Sequence, residues 1–124
     1  MPDKNFNISE AELEIMQVLW REKEPLSAQD VLKQLKNKKW KYSTIATLFG
    51  RMVEKGTVTY DKQGRFFYYT PVVLEEEYKA HQTKNFISKL YNGSVKNLVA
   101  SLFENEQISD DELLEIKKMF NLEG

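Results

Sequence analysis

Lys41, Tyr42, Ser43, Thr44, Ala46, Thr47 and Arg51 share one short stretch, and Lys62 and Arg65 follow it. None of these groups is arranged as a nucleophile beside a base. Hydroxyls can bond to phosphates or base edges, Ala46 and the Thr47 methyl can touch a thymine methyl, and the cations can neutralise phosphate. The chemistry they suit is reversible recognition of double-stranded DNA. Arg51 stands far along the stretch and suits phosphate rather than base contact. Ser43 also suits a plain helix N-cap, and both roles can coexist. Lys62 and Arg65 suit backbone or minor-groove contact, although a solvated turn would have the same composition. Lys38 and Lys39 are placed as further phosphate neighbours.

Other chemistry finds little to work with. The chain has no cysteine, so disulfides, thiolate metal sites and cysteine nucleophiles are excluded together. His81 is the single histidine and has no metal-ligand spacing; it reads as solvated or at a dimer edge. Glu75, Glu76 and Glu77 open a helix, where acids complement the macrodipole. No Gly-rich phosphate loop is present. The chain reads as a non-enzyme with no cofactor and no metal.

The binding residues need a rigid support, and the periodicity supplies one. Ile45, Leu48, Phe49, Met52 and Val53 fall at i, i+3, i+4, i+7 and i+8, one apolar stripe of a helix. Ser43, Ala46, Thr47, Gly50, Arg51 and Glu54 make the opposite face. The helix is expected to start with Ser43 as N-cap and to end at Gly56, where a left-handed conformation costs glycine little. Ahead of it, Ser9 with Glu12 forms a capping box for a first helix, and Ser27 with Asp30 caps a second after the break at Pro25. Trp40 reads as packing that closes the core. After Gly56 the period changes to two: residues 57–61 and 65–70 predict a β-hairpin joined by Lys62-Gln63-Gly64 and stopped at Pro71. Its aromatics, Phe66 to Tyr69, are assigned mostly to the core. Three helices and a hairpin make a winged helix-turn-helix.

From Val72 the chain turns helical again. A long helix from Leu74 to Tyr91 is expected, then a break at Asn92-Gly93, a helix capped by Ser94 and another capped by Ser109 with Glu112. Phe86, Ile87, Leu90, Tyr91, Val95, Leu98, Val99, Leu102, Phe103, Leu113, Ile116, Met119 and Phe120 are their apolar residues. Helices this short cannot bury such stripes alone, which predicts a homodimer. The fold class is therefore mainly α with a small β-hairpin: an N-terminal winged helix-turn-helix, residues 1–71, followed by a three-helix dimerisation lobe, residues 72–124.

Charge divides at the same place. Residues 1–71 carry 12 Lys/Arg and 9 Asp/Glu, a net of +3, whereas residues 72–124 carry 6 Lys and 10 Asp/Glu, a net of −4. A basic first part suits an anionic partner there only. No run is long and apolar enough to span a membrane, and no apolar signal core opens the chain; a cytoplasmic protein without membrane contact is expected.

Taken in order, several of these residues resemble the penicillinase-repressor family. They are Ile8 to Met16 with Trp20, Trp40, Thr44-Ile45, Thr47-Leu48, Arg51, Lys55-Gly56, Arg65, Tyr69-Thr70-Pro71, Phe86, Tyr91-Asn92-Gly93, Leu98-Val99 and Phe103-Glu104-Asn105. The resemblance spans nearly the whole chain. It implies a homodimeric repressor on an inverted-repeat operator, control of β-lactam-resistance genes, and induction through a membrane sensor-protease that leads to cleavage in the dimerisation lobe. The family's scissile Asn-Phe pair falls on Ser101-Leu102. Its usual Ser-Pro-Lys-Thr at the recognition-helix start is Lys41-Tyr42-Ser43-Thr44 here, which points to a different operator sequence. The copper-responsive branch carries a C-terminal cysteine cluster, and this chain has no cysteine. Two other readings stay open on the residues alone: a protein-interaction adaptor, and an effector-binding regulator with a ligand pocket at the dimer interface.

Overall fold

The computed structural model describes residues 4–35, 40–105 and 109–120. Its elements are α1 (Glu10–Glu22), α2 (Ala28–Gln34), α3 (Tyr42–Lys55), β1 (Val58–Gln63), β2 (Phe66–Pro71), α4 (Glu75–Tyr91), α5 (Val95–Glu104) and α6 (Asp110–Phe120). They fall into two compact units, residues 1–81 and residues 82–124.

In the first unit, both expected capping boxes form. Ser9 caps α1 with Glu12 answering, and Ser27 caps α2 with Asp30 answering. Each box satisfies backbone donors that a helix start otherwise leaves unpaired. The apolar stripe of α3 turns inward: Ile45, Phe49 and Met52 are fully buried against Ile15, Met16 and Leu19 of α1 and Val31 of α2. Gly56 ends α3 at φ 80°, the left-handed region, as its C-cap.

The hairpin runs antiparallel from Val58↔Pro71 to Gln63↔Phe66, closed by Gly64-Arg65. Gly64 has φ 64°, and Arg65 does not share that sign. Positive φ at the first central residue alone is the type II′ arrangement that matches strand twist. Lys62 and Gln63, expected in the turn, are therefore the last residues of β1, and Pro71 is paired rather than excluded. Pairing continues because a proline at a strand's end need not donate to the ladder.

Two contacts hold the hairpin, the wing of this fold, against the helices. Leu26 forms an isolated bridge with Tyr69, through Leu26 N–H to Tyr69 O at 3.1 Å and Tyr69 N–H to Leu26 O at 2.8 Å. Tyr69 then stacks on Phe49 of α3, with centroids 3.8 Å apart and planes at 6°. Burial pushes the Tyr69 phenol above its ordinary pKa. At the other end of the hairpin Thr57 is fully buried. Its hydroxyl donates to Met52 O, and its carbonyl accepts from Val72 and Val73 N–H.

The start of α4 closes this core. Tyr78 packs beside Trp20, and the buried Trp20 Nε1–H donates to Val73 O at 2.9 Å. Trp20→Phe keeps an aromatic ring but strips that carbonyl of its donor. It should cost about 1–2 kcal/mol, seen as a lower urea midpoint with an unchanged denaturant slope.

The second unit is different. Asn92 and Gly93 both take positive φ and end α4, and Ser94 accepts from Asn97 N–H to start α5. Ser109 and Glu112 exchange bonds at the start of α6. Tyr91 donates its hydroxyl to Ser101 Oγ at 3.2 Å. Yet no described side chain of residues 82–124 is buried within the single chain. The side chains of Met119 and Phe120 lie outside the described residues.

Candidate nucleic-acid interface

On α3 the outward face is complete. Tyr42, Ser43, Thr44, Ala46, Thr47, Gly50 and Arg51 are all exposed, and the fully buried Ile45, Phe49 and Met52 lie opposite. Gly50 and Ala46 keep the middle of this face flat, so a groove edge can approach the helix backbone. The first turn of α3 holds no acid, and the positive end of the helix therefore faces outward without a carboxylate to oppose an anion.

One expectation about this helix is corrected. Ser43 is not its N-cap: the cap is Lys41, in an extended conformation, and no side chain caps the helix. The Lys41 carbonyl already accepts from Thr44 and Ile45 N–H, so the helix begins two residues earlier than its hydroxyls suggest. Ser43 stands in the first turn with its hydroxyl outward, which leaves it available for an intermolecular bond.

A second correction concerns the wing. Phe66 and Phe67 are 53% and 41% exposed, not core. Strand alternation assumes that one face of the sheet is covered along its length. Here Phe49 of α3 stacks on the hairpin at Tyr69, whereas Phe66 and Phe67, nearer the turn, keep about half their surface in water. The register puts Tyr60 opposite Tyr69 and Lys62 opposite Phe67. The Tyr60 and Phe67 rings meet edge to face, 5.2 Å apart, and the Lys62 ammonium sits 5.7 Å from the Phe67 ring centre.

The structure brings part of the expected set together. Tyr42 and Ala46 of α3 and Arg65 of the wing line one concavity of about 270 Å³, with Gln29, Phe66 and Phe67 also on its walls. Lys41, Thr47, Arg51 and Lys62 lie outside that concavity. Lys41, Arg51, Lys62 and Arg65 make no ion pair with another described residue, so their charges are uncommitted. Lys38 and Lys39 lie outside the described residues. Sequence reasoning missed Gln29, whose exposure follows from its place beside the Ser27–Asp30 box, and it missed the outward role of Phe66 and Phe67.

It also missed what anchors the far end of α3. Glu12 of α1 is 1% exposed, and the Lys55 ammonium donates to its Oε1 at 2.8 Å. The same oxygen accepts Ser9 N–H at 3.0 Å. Burial pushes the Glu12 carboxyl up, but Lys55 and the Ser9 N–H outweigh it and hold the group below the ordinary range. Glu12 in a capping box was legible; a basic partner 43 positions away was not.

His81 packs face to face with Phe6, 4.3 Å between centroids. Glu75, Glu76 and Glu77 do lie in the first turn of α4, where Glu77 accepts Leu74 N–H and pairs with Lys4. Among the described residues no group of acids, histidines or cysteines is placed to hold a metal, and no helix is long and apolar enough to cross a membrane.

Residues 8–121 match the family model described as Penicillinase repressor. The chain is 36% identical over 110 residues to a penicillinase repressor of Bacillus licheniformis, covering 88% of this chain and 85% of that one. It is 35% identical over 122 residues to the methicillin resistance regulatory protein MecI of Staphylococcus aureus, covering 98% of each. Among solved structures, it is similar to the DNA-binding domain of the repressor BlaI. That match has a TM-score of 0.54 and 38% identity, covering 61% of this chain and 93% of that one.

Proposed function

Since the chain belongs to the penicillinase-repressor family, a family of repressors rather than enzymes, we propose that it is a homodimeric repressor acting on an inverted-repeat operator in double-stranded DNA. In this reading residues 1–71 bind DNA and residues 72–124 pair two copies. The genes it controls are of the β-lactam-resistance type, and the protein acts in the cytoplasm.

One observation carries the proposal. Apart from Glu54, the exposed face of α3 carries hydroxyls, small residues and Arg51, and neither Arg51 nor the capping Lys41 makes an ion pair with another described residue. A helix docked in the major groove needs a face of that kind: little bulk, donors for base edges, and charge for phosphate. Lys41, Tyr42, Ser43, Thr44, Ala46 and Thr47 would face the groove, Arg51 a phosphate, and Lys62 and Arg65 the neighbouring backbone.

Relief of repression through a sensor-protease belongs to the same reading, with cleavage at Ser101-Leu102. Both residues lie in α5, which has no buried side chain. A protease needs an extended strand, so α5 must unwind, and in the proposed dimer also leave its partner, before cleavage.

The test is a fluorescence-anisotropy titration on duplexes that the protein itself selects from a random pool. Affinity should fall steeply with salt as neutralised phosphates release counterions. No salt-sensitive binding to any duplex would overturn the proposal. Arg51→Ala should weaken binding several-fold and lower the salt slope by about one, with the unfolding midpoint unchanged because Arg51 is off the buried stripe. Thr47→Ala should weaken binding as well, with the slope kept.

A further inference from the structure

The concavity between α3 and the wing is the feature that DNA recognition by α3 alone leaves unexplained. At about 270 Å³ it falls below the ~300–1,000 Å³ of ordinary small-molecule sites. Its walls are Tyr42 and Ala46 of α3, Gln29 of α2, and Arg65, Phe66 and Phe67 of the wing. Two large apolar rings exposed at a hairpin tip carry a solvation cost that the single chain does not recover. Cations flank them: Arg65 in the turn beside Phe66, and Lys62 over Phe67.

With α3 in the major groove and the wing at the adjoining minor groove, one sugar-phosphate strand must pass between them. That strand has two chemistries, charged phosphate and apolar deoxyribose edge, and the slot has both. We propose that the slot holds this strand, with Phe66 and Phe67 packed on its deoxyribose edges and Arg65 and Gln29 bonded to its phosphates. Phe66 and Phe67 are then positioning residues: they set how deep α3 sits, through contact that releases no counterion. Tyr60, edge-on to Phe67, fixes that ring. The inference rests on the DNA-binding reading above and adds an apolar component to it.

Backbone contact does not depend on sequence, so the probe is a fluorescein-labelled mixed-sequence duplex of about 30 base pairs, titrated with the full chain between about 50 and 200 mM salt. Phe66→Ala and Phe67→Ala should each weaken binding about three- to tenfold, by the same factor at every salt, leaving the log–log slope unchanged. Phe67→Leu, which keeps an apolar side chain, should restore most of the loss. Lys62→Ala should behave differently and lower the slope by about one. Circular dichroism and the unfolding midpoint of each variant confirm the fold. Unchanged affinity in both alanine variants overturns the inference alone, as does a slope that falls in them as it does for Lys62→Ala. Tighter binding of the single strand than of the duplex also overturns it, and assigns the rings to base stacking. Failure of the wild type to bind any duplex overturns both this inference and the reading beneath it.

Discussion

Lys55→Met should lower the unfolding midpoint by roughly 8–16 °C, the equivalent of about 2 kcal/mol for a unit of this size. The substitution keeps the aliphatic stem of Lys55 and removes only its ammonium. What remains is the Glu12 carboxylate, 1% exposed, with Ser9 as its other partner. Removing one member of a fully buried pair costs about 3–5 kcal/mol. The smaller figure applies because the Lys55 side chain keeps 26% of its surface in water, so solvent can reach the gap. Glu12→Met with Lys55→Met should recover part of the loss, since no charge then stays buried, but not the capping bond to Ser9. A midpoint for Lys55→Met within about 0.5 kcal/mol of the wild type, the range of ordinary surface changes, would show that the pair is ornamental.

The same pair sets a pH dependence with a definite sign. The Glu12 carboxyl lies below its ordinary value of 4.5 in the folded chain. Its contribution is therefore complete above 4.5 and is lost as pH falls through the lowered folded value. Without Lys55 the group loses both its hydrogen bond to the ammonium and the attraction of that charge, so its pKa moves upward from the wild-type value. The stability gap between wild type and Lys55→Met should then shrink below pH 4.5, where protonation of Glu12 removes the penalty.

Why Glu12–Lys55 escaped sequence reading, while α3 did not, is a matter of range. Capping boxes, helical stripes and glycine turns are local, and each is set by residues within one or two turns of one another. Ser9, Ser27, Gly56 and Gly64 act as expected on those grounds. Ser43 failed for a related reason: a hydroxyl before an apolar stripe signals a cap only if the helix starts there, and Lys41 starts it first. The wing failed on coverage. Alternation tells which residues share a face but not how far a neighbouring helix extends over it, so Tyr69 met Phe49 while Phe66 and Phe67 met solvent. The interface is legible as a face of α3 and illegible as a slot, because the slot needs Gln29 and Phe66 brought together across the chain.

The largest expected change in affinity comes from substitutions in the second unit, residues 82–124. Leu90→Asp combined with Phe103→Asp should turn the protein monomeric in sedimentation and weaken binding to a two-half-site operator by about 10²–10⁴. The two side chains are 65% and 48% exposed in the single chain, as is Val95 at 48%, so neither substitution breaks a core that one copy possesses. In the proposed dimer their exposed surfaces would be covered by the second copy. Isolated helices of this length are marginal in water, and the described residues leave no side chain of α5 fully buried within one chain. In the proposed homodimer, pairing would cover the apolar stripe of α5 and link two α3 helices. Once one half-site is bound, the second binding event is intramolecular, at an effective concentration near millimolar for a short link. Loss of pairing removes that gain and nothing else. Affinity for a duplex with a single half-site should therefore stay at the wild-type module's level, and the Lys55-dependent unfolding of residues 1–81 should be unchanged. A monomer that still binds the two-site operator at wild-type affinity would sink the avidity argument, and a variant that stays dimeric would move the pairing surface elsewhere.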